Sequence, residues 1–178
     1  MLTATYSIVA LKLEQEKARW NFSALHRYVA NTIKSLQGSS GMDFEPLLNR
    51  LSQFEQYCHQ RKVEIFIIPA MRKLTHEADS LLDELDSLSS VSLAMLRVLR
   101  EKLQEALRLG VNKMEEVCRA LELCCTNFYQ RLTKEEELVE IAERVIPGEE
   151  WFGIAASFLS HDAKTGRAAA MHVVDEEE

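Results

Sequence analysis

The sequence predicts an all-α fold: an antiparallel up-and-down four-helix bundle that ends in a short C-terminal helix. The chain has 178 residues but only six Gly and three Pro, so few positions interrupt a helix. Apolar side chains make up 47% of the chain and recur at intervals of three and four residues over four long segments. Short connections join these segments, and such connections place consecutive helices antiparallel to each other.

The first helix is predicted over residues 6–36. Phe22, Leu25 and Val29 share one face of a helix with 3.6 residues per turn, and that face is expected to point to the core. Residues 38–41 contain two Gly and two Ser, which favour a turn and end this helix.

The second helix is predicted to begin after Asp43 and to end near Pro69. Asp43 is a favourable N-cap, and Pro46 falls in the first turn, where its missing N–H costs little. The third helix is predicted over residues 75–109, and the two serines at positions 89–90 are a place where it could break.

The fourth helix is predicted to start at Asn112, which forms a capping-box pattern with Glu115, and to end near Val145. The Pro-Gly pair at residues 147–148 stops it, and a short fifth helix is expected over residues 149–159.

The length of the chain fits one domain. The helical bundle is expected over residues 1–160, and a flexible C-terminal tail over residues 161–178. The tail is rich in small residues and ends in Asp175 followed by three Glu, which favours fraying.

Charge and cysteine content indicate a soluble cytoplasmic protein. The net charge is -7 and the basic residues are interleaved with acids, so no nucleic-acid partner is expected. The chain shows neither a signal peptide nor an apolar run of the roughly 18 residues needed to span a membrane, so no membrane partner is expected either. The spacing of the cysteines suits a reducing compartment and indicates no disulfide framework. These cysteines are Cys58, Cys118, Cys124 and Cys125.

Residues 57–69 carry the most informative motif of the chain. His59 precedes an apolar run that ends in Pro69. This stretch resembles the second helix of hemerythrin-like (HHE) domains, where His-x-x-x-Glu supplies two iron ligands before a Phe-Pro pair. Here the fourth residue after His59 is Val63, which cannot bind a metal, and Glu64 is expected about 100° further round the helix.

The other helices show the same partial resemblance. Residues 128–137 resemble the family's Tyr-x-x-His-x-x-x-Glu-Glu pattern, with Leu132 in place of His and Glu136 in place of the bridging carboxylate. On the third helix, His76 occupies the position of the family's His. On the first helix, the position of the His falls on Gln15, or on Arg19 in a frame one turn later.

The resemblance therefore implies an incomplete ligand set. His59, His76 and Glu136 match metal-ligand positions of the family, while the remaining positions do not. The leading hypothesis is a divergent, non-enzymatic member without a normal di-iron site, which acts as a binding or regulatory module. The alternative is a metalloprotein that senses oxygen, nitric oxide or redox state. It would hold one iron or zinc ion through these three residues, with His26 or Glu64 as auxiliary ligands.

Helix geometry bears on that alternative. The second helix descends about 15 Å between His59 and Pro69. His76, at the start of the third helix, is then expected near the turn, whereas Asp83 or Asp86 would be closer to the level of His59.

If the Arg19 frame is right, a guanidinium could replace the lost metal cation. Arg19 would pair with Glu136 through two parallel hydrogen bonds, and Arg19→Ala would strongly destabilise the protein. A homodimer is a further hypothesis, because Trp20 and Phe66 are expected off the inward faces and would need cover.

No enzyme is predicted, because the chain contains no Gly-rich phosphate loop, Ser-His-Asp series or Cys-His nucleophile pattern. Cys118, Cys125 and Leu132 are spaced by seven residues, so both thiols are expected to face inward as small apolar groups. A redox role for Cys58 or for the adjacent pair of cysteines is the open alternative.

Overall fold

The computed structural model describes residues 2–36, 44–109 and 114–174, with side chains over residues 5–35, 44–105 and 115–163. This part of the chain is helical and contains no strand, which confirms the all-α prediction. None of its helices is long and apolar enough to cross a membrane. The elements in chain order are α1 (Leu2–Leu36), α2 (Glu45–His59), a π-helical turn (Val63–Ile67), α3 (Ile68–Leu74), α4 (Asp79–Leu109), α5 (Met114–Val145) and α6 (Gly148–Val174).

The predicted second helix is divided, because α2 ends at His59 and a π turn follows before α3. The backbone N–H of Ile68 donates to the carbonyl of Val63, five residues back. Pro69 has no N–H to donate to Ile65, and its ring crowds that carbonyl, so a wider turn relieves the clash. The expectation of one continuous helix is wrong at this point.

Two other predicted boundaries differ from the structure. Helix α4 continues through residues 89–90 without a break, and Asn127 of α5 donates to the hydroxyl of the buried Ser92 at 2.6 Å. Helix α6 continues to Val174 instead of ending near residue 159, so residues 161–174 of the predicted tail are helical. The flexibility of that tail stays a prediction.

Only some of the residues that were predicted to begin or end helices lie within the described part of the chain. Pro46 lies in the first turn of α2 as expected, and Phe44 occupies the N-cap position without a side-chain hydrogen bond. The predicted caps Asp43 and Asn112 and the turn at residues 38–41 lie outside the described residues.

Helices α4 and α5 pack against each other in opposite directions. Lys102 pairs with Glu116 at one end of the two helices, at 2.7 Å. Glu77, just before α4, pairs with Arg144 at the other end, at 3.3 Å. The chain therefore turns back on itself between the two helices.

Helix α1 is also antiparallel to α5, because Lys12 pairs with Glu143 at 2.9 Å and Arg19 pairs with Glu136 seven residues earlier. Helix α2 runs in the same direction as α5. The rings of Phe54 and Phe128 lie 5.0 Å apart, and Arg61, just after α2, pairs with Glu135 further along α5.

The buried apolar side chains form two clusters. The first contains Ala18, Phe22, Leu25, Val29, Phe44, Leu47, Leu48, Leu51, Phe54, Cys58, Leu99, Leu103, Val117, Leu121, Cys124, Cys125, Phe128 and Leu132. The second contains Leu11, Val63, Ile67, Ile68, Met71, Ala78, Leu81, Leu82, Leu85, Leu138, Val139, Ala142, Ile146, Trp151, Ile154 and Phe158. Since Trp151 and Phe158 belong to the second cluster, α6 covers that end of the molecule.

The two aromatic residues behind the homodimer hypothesis lie in different environments. Trp20 is 69% exposed, as expected for a residue off the inward face. Phe66 instead packs against Phe158 and His161 of α6, with ring centroids 5.4 and 5.8 Å away. Phe66 is therefore covered within one chain, and dimer formation stays a prediction.

Candidate functional site

A layer of charged and polar side chains, most of them buried, lies between the two apolar clusters. On α5 its residues lie between Phe128 of the first cluster and Leu138 of the second, and its other residues lie between Glu55 near the end of α2 and Glu64 in the π turn. We call this set the ionic layer, and it consists of Glu55, His59, Arg61, Glu64, Arg131 and Glu135. Charged groups this far from water are stable only when they are paired.

Arg131 is the centre of the ionic layer. Its side chain is fully buried, and its Nη1 donates to Glu55 Oε1 at 3.2 Å. Its Nη2 donates to Glu64 Oε1 at 2.6 Å, and its Nε lies 3.3 Å from Glu135 Oε1. The planar fork of a guanidinium can contact several carboxylates in this way, whereas the ammonium of Lys cannot. One cation therefore holds carboxylates from α2, the π turn and α5.

Arg61, in the turn after α2, is the second buried cation. Its Nη1 donates to Glu135 Oε2, and both side chains are almost completely buried. Its Nε and Nη2 have no hydrogen-bond partner among the described residues, nor do Glu55 Oε2 and both amide atoms of Gln15. Such unpartnered atoms lower stability by about 1–3 kcal/mol each when no water reaches them.

His59 connects the ionic layer to the surface, since its side chain is 41% exposed. Its Nε2 lies 2.9 Å from Glu55 Oε1, and its Nδ1 lies 3.3 Å from Arg131 Nη2. A guanidinium can only donate, so Nδ1 is the acceptor and the proton is on Nε2, facing Glu55.

Besides His59, the ionic layer has three carboxylates and two guanidinium groups when these five groups are ionised. Burial raises the pKa of Glu135 to about 7, although Arg61 and Arg131 favour its charged form. A proton on Glu135 balances the charges of the layer. The charge of this buried site therefore changes near neutral pH.

The π turn places Glu64 differently from the sequence prediction. On a continuous helix Glu64 would lie about 100° away from the face of His59. In the structure, Glu64 and His59 contact the same nitrogen, Arg131 Nη2. The expectation that Glu64 points away from this site is wrong, because the break after α2 and the wider π turn rotate the backbone.

Glu136, the predicted bridging carboxylate, lies outside the ionic layer. It accepts from Arg19 Nε and Nη2, and the two side chains are 32% and 36% exposed. The two-bond pairing of Arg19 with Glu136, which was expected if Arg19 lay in the core, is present, but both side chains are partly exposed, so that condition is not met. Gln15 is the buried residue of the two first-helix candidates.

The interior pair on α5 is Arg131 and Glu135, one residue before the predicted frame of Leu132 and Glu136. Leu132 is also buried, but it packs in the first apolar cluster. Residues four apart share a helix face, so Arg131 and Glu135 project from the same side of α5.

The remaining predicted ligands do not approach His59. The side chain of His76 is 96% exposed, and its Nδ1 lies 2.9 Å from Asp79 Oδ2. Asp83 and Asp86, which were expected closer to the level of His59, are exposed and pair with Arg72.

His26, the auxiliary candidate on α1, is exposed and stacks on Phe22 with ring centroids 6.0 Å apart. Among the described residues, no three His, Cys, Asp or Glu side chains form a group that could hold a metal ion. Binding of iron or zinc by His59, His76 and Glu136 stays a prediction.

The cysteines are all free thiols. Burial raises the pKa of Cys58 and Cys124 to about 12 and that of Cys125 to about 11. Of the two thiols expected to face inward, Cys125 is buried and Cys118 is only half-buried. Because the thiolate is the reactive form, the buried thiols are poor nucleophiles at neutral pH.

The fold and the site define an all-helical protein with a charged layer across its core. Comparison of the chain with protein-family models, curated proteins and solved structures finds no match. The resemblance to hemerythrin-like domains accordingly stays a prediction from the sequence motifs.

Proposed function

We propose that the chain is a divergent hemerythrin-like four-helix bundle without a normal di-iron site, and that it acts as a non-enzymatic binding or regulatory module. The observation that carries this proposal is the ionic layer, in which Arg61 and Arg131 are already paired with three carboxylates.

The directions of the helices support the bundle arrangement. Helices α1 and α4 both run opposite to α5, and α2 runs along it, as in an up-down-up-down order. Glu14 of α1 accepts from the backbone N–H of Lys62 at 2.8 Å. Its neighbour Gln15, at a predicted ligand position, therefore lies close to the level of Arg61.

The electrostatics of the ionic layer support the loss of the metal pair. A di-iron site needs bridging carboxylates that are free to bind cations, but Glu135 contacts two guanidinium groups and Glu64 contacts one. A metal ion at this level would also lie beside two fixed positive charges. Arg61 and Arg131 thus supply the positive charge that a metal pair would otherwise provide.

A non-enzymatic role is supported by the state of the reactive groups. Burial keeps the thiols of Cys58, Cys124 and Cys125 protonated near neutral pH, because it raises their pKa values. His59 also has both ring nitrogens engaged within the ionic layer.

Metal analysis of the purified chain, produced with added iron and zinc and read together with its visible spectrum, tests the proposal. We expect far less than one metal ion per chain. Two irons per chain with an oxo-bridge absorption band would overturn the proposal. One tightly bound metal that is lost in His59→Ala and retained in the control His26→Ala would favour the metalloprotein alternative.

A further inference from the structure

A groove of about 530 Å³ lies between α2 and α4, beside the ionic layer. Its walls are one stripe of residues from each helix, and the apolar part consists of Leu48, Leu93 and Leu96. Leu93 is 54% exposed, which leaves apolar surface open to water. The volume is within the range of about 300–1,000 Å³ that is usual for sites of small ligands.

One end of the groove is positively charged. Arg97 and Arg100 are one turn apart on α4, and both are exposed in the groove. Neither has an ion pair, hydrogen bond or ring contact with another described residue. Since α2 and α4 run in opposite directions, Arg100 lies towards the end formed by Leu48. Two neighbouring guanidinium groups favour a carboxylate or a phosphate.

The other end of the groove contains Glu55 and His59. Glu55 is buried, and its Oε2 has no hydrogen-bond partner among the described residues. Its other oxygen, Oε1, already contacts Arg131 and His59. Glu55 Oε2 is itself buried, so a hydroxyl or amino group in the groove reaches this acceptor when the Glu55 side chain turns towards the groove. The levels of Leu48 and His59 are about 17 Å apart along the helix axis.

We propose that this groove binds a small acid with an apolar body, whose carboxylate or phosphate faces Arg97 and Arg100 and whose far end carries a hydrogen-bond donor for Glu55. The inference rests on the proposed role as a binding module and names the chemistry of its ligand. The leucine side chains contact the apolar body, and the arginine side chains select for the negative charge.

Isothermal titration of the whole chain with three probes tests the ligand chemistry. The probes are decanoate, uncharged decanol and 10-hydroxydecanoate. Decanoate is expected to bind at least about tenfold more tightly than decanol, because a charge-assisted hydrogen bond is lost in the alcohol. We expect 10-hydroxydecanoate to bind about threefold more tightly than decanoate, because its hydroxyl reaches Glu55. Decyl phosphate in place of decanoate distinguishes a phosphate from a carboxylate preference.

Paired variants test the location. Arg97→Gln with Arg100→Gln is expected to weaken decanoate binding at least about tenfold. The control, Arg27→Gln with Arg119→Gln, removes the same charge from exposed positions on α1 and α5 and should bind like the parent chain. Arg119 lines a second, mainly apolar groove between α4 and α5, so the control also detects binding there.

The inference is overturned if decanoate does not bind to the folded chain, if decanol binds as well as decanoate, or if the control variant loses as much affinity. Circular dichroism confirms that each variant is folded. A metal-free chain that fails to bind the probes would refute this inference alone, whereas a chain with two irons would refute the proposed function whether or not the groove binds.

Discussion

Replacement of Arg131 by Met is the most direct test of the ionic layer. Met is uncharged and has a shorter side chain of similar volume, so the substitution removes the cation with little change in volume. It leaves Glu55 and Glu64 without their guanidinium partner, while Glu135 keeps Arg61. Three carboxylates and one guanidinium then remain in the core.

The magnitude follows from burial. Removal of one partner from a buried ion pair typically costs about 3–5 kcal/mol, because the other partner stays buried and uncompensated. Arg131 is fully buried and contacts three carboxylates, so we expect a loss at the upper end of that range. For a domain of this size the melting temperature falls by about 2–4 °C per kcal/mol, which corresponds to a decrease of about 10 °C or more.

Arg19→Met is the matched control. Arg19 also binds a carboxylate, Glu136, through two nitrogens, but the pair is about one third exposed. Water screens such a pair, and exposed pairs contribute at most about 1 kcal/mol. The sequence predicted a strong destabilisation on loss of Arg19. Because the pair is partly exposed in the structure, we now expect a small effect.

Urea unfolding of the parent chain and both variants at pH 7, followed by circular dichroism, measures the two free energies. A loss in Arg131→Met that is no larger than the loss in Arg19→Met would refute the reasoning that the ionic layer is a buried, mutually dependent network. Equal slopes of the unfolding free energy against urea concentration would show that unfolding exposes the same amount of surface in the parent chain and in both variants.

Three further predictions concern Glu135, the cysteines and Gln15. Because the pKa of Glu135 is raised to about 7, the folded state takes up a proton that the unfolded state releases. The free energy of unfolding should therefore fall as pH rises from about 4.5 to 7, and Glu135→Gln should make it depend less on pH. The same pH profile in Glu135→Gln as in the parent chain would contradict this prediction. A thiol reagent at pH 8 should modify Cys118 in the folded chain and leave Cys58 and the other buried thiols unmodified until urea is added. Rapid reaction of all four thiols in the folded chain would contradict the burial of Cys58, Cys124 and Cys125. Gln15→Leu should leave the free energy of unfolding unchanged or raise it by up to about 1 kcal/mol, because the buried amide has no partner among the described residues. A clear loss of stability in this variant would show that the amide is hydrogen-bonded.

Helix positions followed from local information, and most of the predicted core is buried. Phe22, Leu25 and Val29 belong to one apolar cluster, as their spacing predicts. The error within the second predicted helix has a local cause as well, because Pro69 alone indicates that the helix cannot continue unchanged. The type of distortion is less predictable, since a kink, a break and a π turn all satisfy the same missing N–H.

The candidate site was predicted only in part. His59 and Glu64 lie in the ionic layer, but their partners Glu55, Arg61, Arg131 and Glu135 were missed. One sequence signal could have indicated these buried charges. Arg131 and Glu135 are four residues apart on a helix face whose neighbouring positions are apolar. That signal is weak, because the same spacing is common for pairs on solvated helix surfaces.

Composition, helix periodicity and the scarcity of Gly and Pro by themselves determined that this protein is helical and which faces are apolar. Only the tertiary structure decided which charges are buried. Arg61 pairs with Glu135 across 74 positions of sequence, and Arg131 pairs with Glu55 across 76. A charged side chain can be buried only where another element brings an opposite charge to it, and that meeting depends on how the helices pack.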